Sequence, residues 1–225
     1  MPGCGLFVQD EARQAEAARF KNSDSKCSQP MDHLALIRGR VEDSVRVKQR
    51  LLDDETLLRV LQGAANEVIE SQRRGGKTLF CGNGGSAADA QHLAAELSGR
   101  FYYDRAPLYA EALHVNTSYL TAVANDYSYR EIYSRLVRGM GRPGDVLIGL
   151  STSGNAANVV EALIAANELE MMTIAFTGQS GGRMKDVARF VLRVPSTDTP
   201  RIQECHMLLG HILCEIVEAS LFPKP

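Results

Sequence analysis

The chain has 225 residues, of which 44% are hydrophobic, so it is long enough to bury the core of one globular domain. Its 25 Lys and Arg residues nearly balance its 27 Asp and Glu residues, and no run of like charges suggests a nucleic-acid-binding surface. The five cysteines show no CxxC spacing, which argues against a disulfide scaffold or a thiolate zinc site, and no apolar run is long enough to span a bilayer. We therefore expect a soluble cytoplasmic protein with neither a nucleic acid nor a membrane as partner.

The N-terminal part of the sequence predicts a tail followed by two helices. Residues 1–30 are polar and contain no apolar segment of a signal peptide, which predicts a flexible tail ahead of a single domain over 31–225. The alternative is that Met31 is the true start of the protein. From Asp32 to about Arg74, apolar residues recur at spacings of three, four and seven, with a break at DDET. This pattern predicts two amphipathic helices, whose length makes packing against a second copy of the chain plausible.

After Gly75 the pattern changes to strands that alternate with helices. The predicted strands are 77–82, 108–113, 145–150, 171–177 and 189–194. The predicted helices are 86–98, 117–124, 129–138, 156–168 and about 200–221. Strands separated by helices require crossover connections and a mainly parallel sheet that is covered on both faces. The sequence therefore predicts a three-layer α/β/α sandwich.

Two of the predicted strands end in loops that suit a phosphate. The first strand leads into GNGGS and the third into STSGN, and each loop turns directly into a helix. Glycines let the backbone approach a ligand, and the free amides of a helix N-terminus favour an anion. Ser151, Thr152 and Ser153 add hydroxyl donors, whereas the alternative role of Ser86 is simply to cap its helix. Two such loops at the carboxyl ends of one parallel sheet favour a phosphate-binding pocket.

A small phosphorylated metabolite is favoured over a nucleotide as the ligand of these loops. The sequence has no GxxxxGK[ST] motif. GNGGSA matches the GxGxxA pattern, but a dinucleotide site also needs an acidic residue at the end of the next strand. Asp104 precedes that strand and Glu111 lies inside it. A second, hydroxyl-rich loop would have no use in a dinucleotide site, so no nucleotide cofactor is expected.

Two of the predicted helices carry side chains that are able to do chemistry. His92 and Glu96 project from one face of a helix, although such a pair is also common as a solvated surface contact. The last helix carries Gln203, His206 and His211 among Leu, Ile and Val residues. Gln203 and His211 point within about 80° of each other, whereas His206 and His211 are about 140° apart. At most one of the two histidines can therefore join Gln203 at a site, and spacing alone does not assign it.

Five segments of the chain match motifs of one family: CGNGGSAADAQHLAAELSGRF, AVANDYSYREIYSRLV, GDVLIGLSTSGNAANVVEAL, TGQSGG and RIQECHMLLGHIL. Together they resemble the bacterial phosphoheptose isomerases, which are sedoheptulose 7-phosphate isomerases of the sugar-isomerase (SIS) domain group. The resemblance runs from about Met31 to Phe222. It implies a flavodoxin-like SIS fold and a homotetramer that converts sedoheptulose 7-phosphate to D-glycero-D-manno-heptose 7-phosphate. This reaction is the first step towards ADP- or GDP-heptose for lipopolysaccharide or capsule.

The resemblance also implies roles for individual residues. The family's catalytic glutamate falls on Glu96 and its catalytic histidine on His211, which would act as base and acid through a cis-enediol. Some members bind one zinc ion per subunit, which would polarise the carbonyl group, although a carboxylate held tightly by a metal is a weaker base. The implied zinc ligands are His92, Glu96, Gln203 and His211. The implied substrate contacts are Asn83, Gly84, Gly85, Ser86, Glu96, Asn125, Asp126, Ser151, Thr152, Ser153 and Gln203.

Two positions depart from the family pattern, and one alternative function stays open. Ala156 stands where a serine often follows STSGN, and Pro200 stands where an acidic residue often precedes RIQE, so the fine substrate preference is open. The alternative is a non-enzymatic SIS protein, either an adaptor that associates with a replication initiator or a sugar-phosphate sensor. Such adaptors lack the glutamate–histidine pair that this chain keeps at Glu96 and His211, so the isomerase is favoured.

Overall fold

The computed structural model of the protein describes residues 31–224, and the predicted tail over 1–30 lies outside them. Backbone contacts divide the chain into two units, Met1–Arg40 and Val41–Pro225. In the first unit, residues 33–40 are helical; in the second, helices alternate with strands. The domain boundary at residue 31 stays a prediction.

Two helices precede the sheet, as the apolar spacing predicts: α1 (His33–Leu52) and α2 (Glu55–Arg73). The break between them is fixed by Asp54, whose carboxylate accepts a hydrogen bond from the Leu57 amide and so caps α2. One face of α2 is buried and includes Leu61 and Val68. The amphipathic pattern of the sequence therefore directs α2 onto the core.

The rest of the chain alternates strands with helices, as predicted. The strands are β1 (Thr78–Cys81), β2 (Ala110–Ala112), β3 (Val146–Ser151), β4 (Met172–Thr177) and β5 (Phe190–Arg193). The helices are α3 (Gly85–Ser98), α4 (Thr117–Asp126), α5 (Ile132–Met140), α6 (Ala157–Glu168) and α7 (Thr199–Leu221). Strand β2 is shorter than predicted because the Leu108 amide bonds to the Leu97 carbonyl instead of joining the sheet. A 3-10 helix at Gly182–Asp186 was not predicted.

The five strands form one sheet in the order β2-β1-β3-β4-β5, and all four pairings are parallel. This is the flavodoxin-like order, in which the connections leave β1 and β3 towards opposite edges of the sheet. The carboxyl ends of β1 and β3 are neighbours, since Cys81 lies opposite Gly149. Ligands of such sheets bind at this switch point. The two glycine-rich loops follow these two strands.

Helices cover both faces of the sheet and complete the predicted three layers. Because side chains alternate along a strand, Phe80 and Ile148 face a core shared with α2, α3 and α7, whereas Leu79 and Leu147 face α5 and α6. Helices α3 and α7 are therefore packed on the same face of the sheet. None of the described helices combines the length and the apolarity needed to cross a bilayer.

Candidate active site

The first loop follows β1 and turns into α3 at Gly85. Gly84, the residue before the helix, has φ of 55°, a left-handed conformation that favours glycine. The alternative role of Ser86 as a helix cap is wrong, because the helix has no side-chain cap and Ser86 is buried within its first turn. The backbone of the loop is held from the opposite face of the sheet by Tyr133, whose hydroxyl donates to the Gly82 carbonyl.

Asn83 in this loop is tied to the helix that follows the second loop. Its side-chain amide pairs reciprocally with that of Asn158 in α6, with both N···O distances at 2.9 Å. The hydroxyl of Tyr129 also donates to the Asn83 side-chain oxygen, at 3.0 Å. Asn158 is buried and Tyr129 is exposed, and the sequence analysis predicted neither. An asparagine within an apolar helix is a signal that could have found Asn158, because a buried amide needs partners.

The backbone of the second loop packs directly against the backbone of the loop that follows β4. Gly154 has φ of 67°, and a Cβ on it would come 2.2 Å from the Gly181 carbonyl oxygen. Gly182 has φ of 49°, and a Cβ there would come 2.5 Å from the carbonyl carbon of Gly154. The TGQSGG segment therefore supports STSGN at a distance that only glycines allow.

Hydroxyl groups surround a cavity of 240 Å³ beside the second loop. Thr152 and Ser153 line it together with residues from the loops after β4 and β5. Ser151 is buried, and its hydroxyl lies 3.5 Å from that of Ser153. Among the described residues that line this cavity, none carries a charge. Such a lining can hold an anion only by hydrogen bonds from hydroxyls and amides.

Helices α3 and α7 bring His92, Glu96 and His211 of one chain together. His92 Nε2 lies 3.0 Å from Glu96 Oε1 and 3.3 Å from His211 Nε2. The helices approach closely at Gly210, where a Cβ would come 2.6 Å from the Leu93 side chain. The His92 side chain is half exposed and that of Glu96 is a quarter exposed, so a ligand can reach both.

The donor atoms of this group suit a zinc ion. The nitrogen and oxygen atoms of the three side chains all lie within 4.8 Å of one another. Two histidine nitrogens on one tetrahedral zinc are separated by about 3.4 Å, given Zn–N bonds of about 2.0–2.1 Å. The distance of 3.3 Å between His92 Nε2 and His211 Nε2 agrees with this value. The residues present therefore fit the metal.

Gln203 lies nearer to the first loop than His211 does. A Cβ on Gly85 would come 2.4 Å from Gln203 Nε2, whereas Leu93 lies opposite Gly210 further along both helices. Helices α3 and α7 therefore run in the same direction. At about 1.5 Å per residue, the backbone of Gln203 lies about 12 Å along α7 from that of His211. The site thus extends from the loops at the sheet edge to the group formed by the two histidines and the glutamate.

Asn125 and Asp126 end α4. The Asn125 amide donates to Asp126 Oδ1 at 2.9 Å, and both residues are exposed. Within the described chain, neither hydrogen-bonds to the two loops, although Tyr129 shortly after them bonds Asn83. Among the described residues, these two predicted residues are therefore not linked by a hydrogen bond to the two loops, and their role stays a prediction.

His206 belongs to the core, although it lies only five residues before His211. It is fully buried, and its Nε2 lies 3.2 Å from the Thr177 carbonyl oxygen. Burial lowers its pKa from 6.5 to about 4, with the hydrogen bond to Thr177 acting in the opposite direction. His206 is therefore neutral at physiological pH and takes no part in the site.

Comparison with known proteins shows similarity over most of the chain. The SIS domain family matches residues 43–178. Phosphoheptose isomerase 2 of Campylobacter jejuni is 49% identical over 188 residues, which are 84% of this chain and 94% of that protein. The phosphoheptose isomerase of Rhodospirillum rubrum is 58% identical over 158 residues, 70% of this chain and 84% of that protein. The solved structure of phosphoheptose isomerase GmhA from Neisseria gonorrhoeae covers 83% of this chain and 98% of its own, with a TM-score of 0.78 and 43% identity.

Proposed function

Since the chain belongs to the phosphoheptose isomerases of the SIS domain family, we propose that Glu96 and His211 are the catalytic pair with which it isomerises sedoheptulose 7-phosphate. The product is D-glycero-D-manno-heptose 7-phosphate, the first intermediate of heptose biosynthesis. The observation that carries the assignment is the meeting of His92, Glu96 and His211 on two helices of one chain. The relatives are named as isomerases, so a replication-initiator adaptor or a sugar-phosphate sensor is not favoured.

The reaction moves one hydrogen between carbons and one between oxygens. The Glu96 carboxylate removes a proton from C1 of the ketose, and the C1–H electron pair forms the C1=C2 bond of a cis-enediol. His211 donates a proton to O2 as the C2 carbonyl opens, and it then accepts the proton of O1. Glu96 returns its proton to C2, which leaves an aldehyde at C1. Atoms and electrons balance without any redox partner.

The two loops would hold the rest of the substrate. Ser151, Thr152 and Ser153 would donate hydroxyl hydrogen bonds to the phosphate, and the left-handed Gly154 lets the backbone curve around it. Gly84, Gly85 and Ser86 would face the sugar from the first loop, with Asn83 oriented by Asn158. Asn125, Asp126 and Gln203 are proposed as further sugar contacts. A seven-carbon substrate, with its phosphate and its reacting carbons at opposite ends, suits a site that extends along α3.

We also propose a zinc ion at this site. His92, Glu96 and His211 would hold it through the nitrogen and oxygen atoms that converge there, and Gln203 would be a fourth ligand. When bound, the ion supplies a positive charge that polarises the substrate carbonyl. We further propose that the protein is a homotetramer and that it acts in the cytoplasm.

The function is tested by measuring the conversion of sedoheptulose 7-phosphate by the purified protein, with and without added zinc. Glu96→Gln removes the base but keeps the shape of the side chain, so we expect kcat to fall at least about 100-fold. Because Glu96 is partly exposed, the free energy of unfolding should change by only about 0.5 kcal/mol. The matched control is Glu168→Gln, which changes an exposed glutamate at the end of α6 that has no proposed role in the site. It should leave kcat unchanged. A wild-type protein without turnover in either condition would contradict the proposal.

A further inference from the structure

Arg105 lies just beyond α3 and binds the end of the helix that carries Glu96. Its guanidinium donates to the carbonyl of Glu96 at 2.9 Å, of Leu97 at 2.8 Å, of Gly99 at 3.1 Å and of Ala106 at 3.0 Å. The carbonyls of the last helical turn have no partners inside the helix, and a cation there also interacts favourably with the helix dipole. Arg105 therefore fixes the C-terminal turn of α3, including the backbone of Glu96 itself.

Glu218 of α7 binds the same segment from the other helix. Arg105 Nε donates to Glu218 Oε1 at 3.1 Å, and the two side chains are only 2% and 1% exposed. Glu218 also accepts the amides of Phe101 and Tyr102, at 2.9 and 2.8 Å. Burial acts to raise the pKa of Glu218, but these amides and the guanidinium outweigh it and hold the pKa below its usual value. The carboxylate therefore stays charged and fully bonded.

Phe101 connects this ion pair to the other catalytic side chain. Its ring centroid lies 5.6 Å from that of His211, and its amide is held by Glu218. A shift of the segment after α3 would therefore move the Phe101 ring against His211. The same shift would release the carbonyl of Glu96 from Arg105.

We propose that Arg105 and Glu218 are positioning residues that set the separation between Glu96 and His211. A buried ion pair is by itself weak support for stability, because desolvation offsets much of the attraction. This pair, however, bonds to the backbone of the helix that carries the base and to the segment whose ring packs on the acid. The inference rests on the proposed roles of Glu96 and His211, and a displacement of about 1 Å between such groups is enough to slow a reaction strongly.

The first test is Arg105→Lys, which keeps a positive charge beside Glu218 but replaces the planar fork by one nitrogen. We expect kcat to fall about 10- to 100-fold. KM should stay within about twofold, because none of the hydrogen bonds of Arg105 goes to either loop. Phe101→Leu tests the second contact, since it leaves the ion pair intact and removes the ring beside His211. It should also lower kcat more than it raises KM.

The matched control is Lys77→Arg, in the buried ion pair between Lys77 and Asp145 at the amino ends of β1 and β3. It disturbs a buried pair at the opposite edge of the sheet, so it should lower the melting temperature without changing kcat. An unchanged kcat in both Arg105→Lys and Phe101→Leu, or a fall in kcat only in proportion to unfolded protein, would overturn the inference. In that case wild-type turnover would still support the proposed function. Failure of the catalytic roles proposed for Glu96 and His211 would be seen separately, as a kcat of Glu96→Gln close to that of the wild type.

Discussion

His206 and His211 lie on one helix and have opposite environments. His206 faces the sheet, where it is fully buried against Thr177, and His211 faces α3, where its ring meets His92. Their separation of about 140° around the helix is a property of the sequence. Which of the two faces was buried depended on how α7 packs on the sheet.

The stability of the protein should depend on pH through His206. Its pKa is about 4 in the folded chain and 6.5 ordinarily, so between these values the unfolded chain binds a proton that the folded chain does not. The contribution of neutral His206 to the free energy of unfolding is therefore fully present above pH 6.5. As the pH falls towards 4, this contribution decreases by about 3 kcal/mol. Denaturant titrations should show that the free energy of unfolding of His206→Leu falls by about 3 kcal/mol less than that of the wild type between pH 6.5 and pH 4. The Thr177 carbonyl keeps a partner in this variant, because it also accepts the Val194 amide at 2.9 Å; equal pH slopes in the two proteins would refute the prediction.

Metal content should depend on His92. His92→Ala removes one of the converging donor nitrogens, so the variant should bind less zinc than the wild type when both are dialysed against the same buffered zinc concentration. Elemental analysis per chain measures this directly and needs no substrate. His33→Ala changes a histidine in the first turn of α1 and should leave the stoichiometry unchanged. Equal zinc content in wild type and His92→Ala would argue against the metal site.

Glycines shape the two loops that we propose as the phosphate site. STSGN and TGQSGG lie far apart in sequence, yet their backbones are in contact at Gly154 and Gly182. Both glycines are left-handed, which relieves a steric restriction that any side chain would impose. The contact explains why two separate glycine motifs occur in this chain.

Gly154→Ala should therefore damage both stability and binding. A left-handed alanine costs about 1–2 kcal/mol, and the added Cβ would also press on the Gly181 carbonyl, so we expect a loss of at least about 2 kcal/mol and a raised KM. Gly139→Ala is the control, because Gly139 lies in α5 with nothing within 4 Å of an added Cβ. There alanine should stabilise by about 0.5–1 kcal/mol. Similar effects of the two substitutions would show that the close backbone contact is unimportant.

At the scale of the whole molecule, α1 leaves an apolar row uncovered. Val41, Val45 and Leu52 are 59%, 60% and 65% exposed in the single chain, and they project from one side of the helix. Burying such a row against another copy would gain about 25 cal/mol per Å² of apolar surface. The row is therefore suited to a contact between copies of the chain in the proposed tetramer.

The proposed tetramer predicts a mass in solution four times the 24.6 kDa of one chain. Val41→Glu combined with Val45→Glu places charges in the apolar row, and light scattering should then give a smaller assembly. Arg50→Glu, on the opposite side of α1, changes charge without touching the row and should keep the wild-type mass. A wild-type monomer, or a double variant of unchanged mass, would contradict the prediction.

Local features of the sequence are enough to predict the secondary structure and the layered fold, and they favour a phosphorylated metabolite as the ligand. Apolar periodicity is a local property, so within residues 31–224 it located the five strands and seven helices and missed mainly the short 3-10 helix. Loop composition and motif resemblance likewise predict roles for Glu96, His211 and the two glycine-rich loops, and these roles stay predictions.

Which of these residues meet depends on how the helices and strands pack together. The tertiary structure joined His92 to His211 across two helices and paired Asn83 with Asn158. It also connected the end of α3 to α7 through Arg105 and Glu218. These contacts join residues far apart in the chain, and no spacing rule reports them because they depend on how elements pack. Sequence spacing reports neighbours on one helix or strand, whereas these partners are brought together by the packing of separate elements on the sheet.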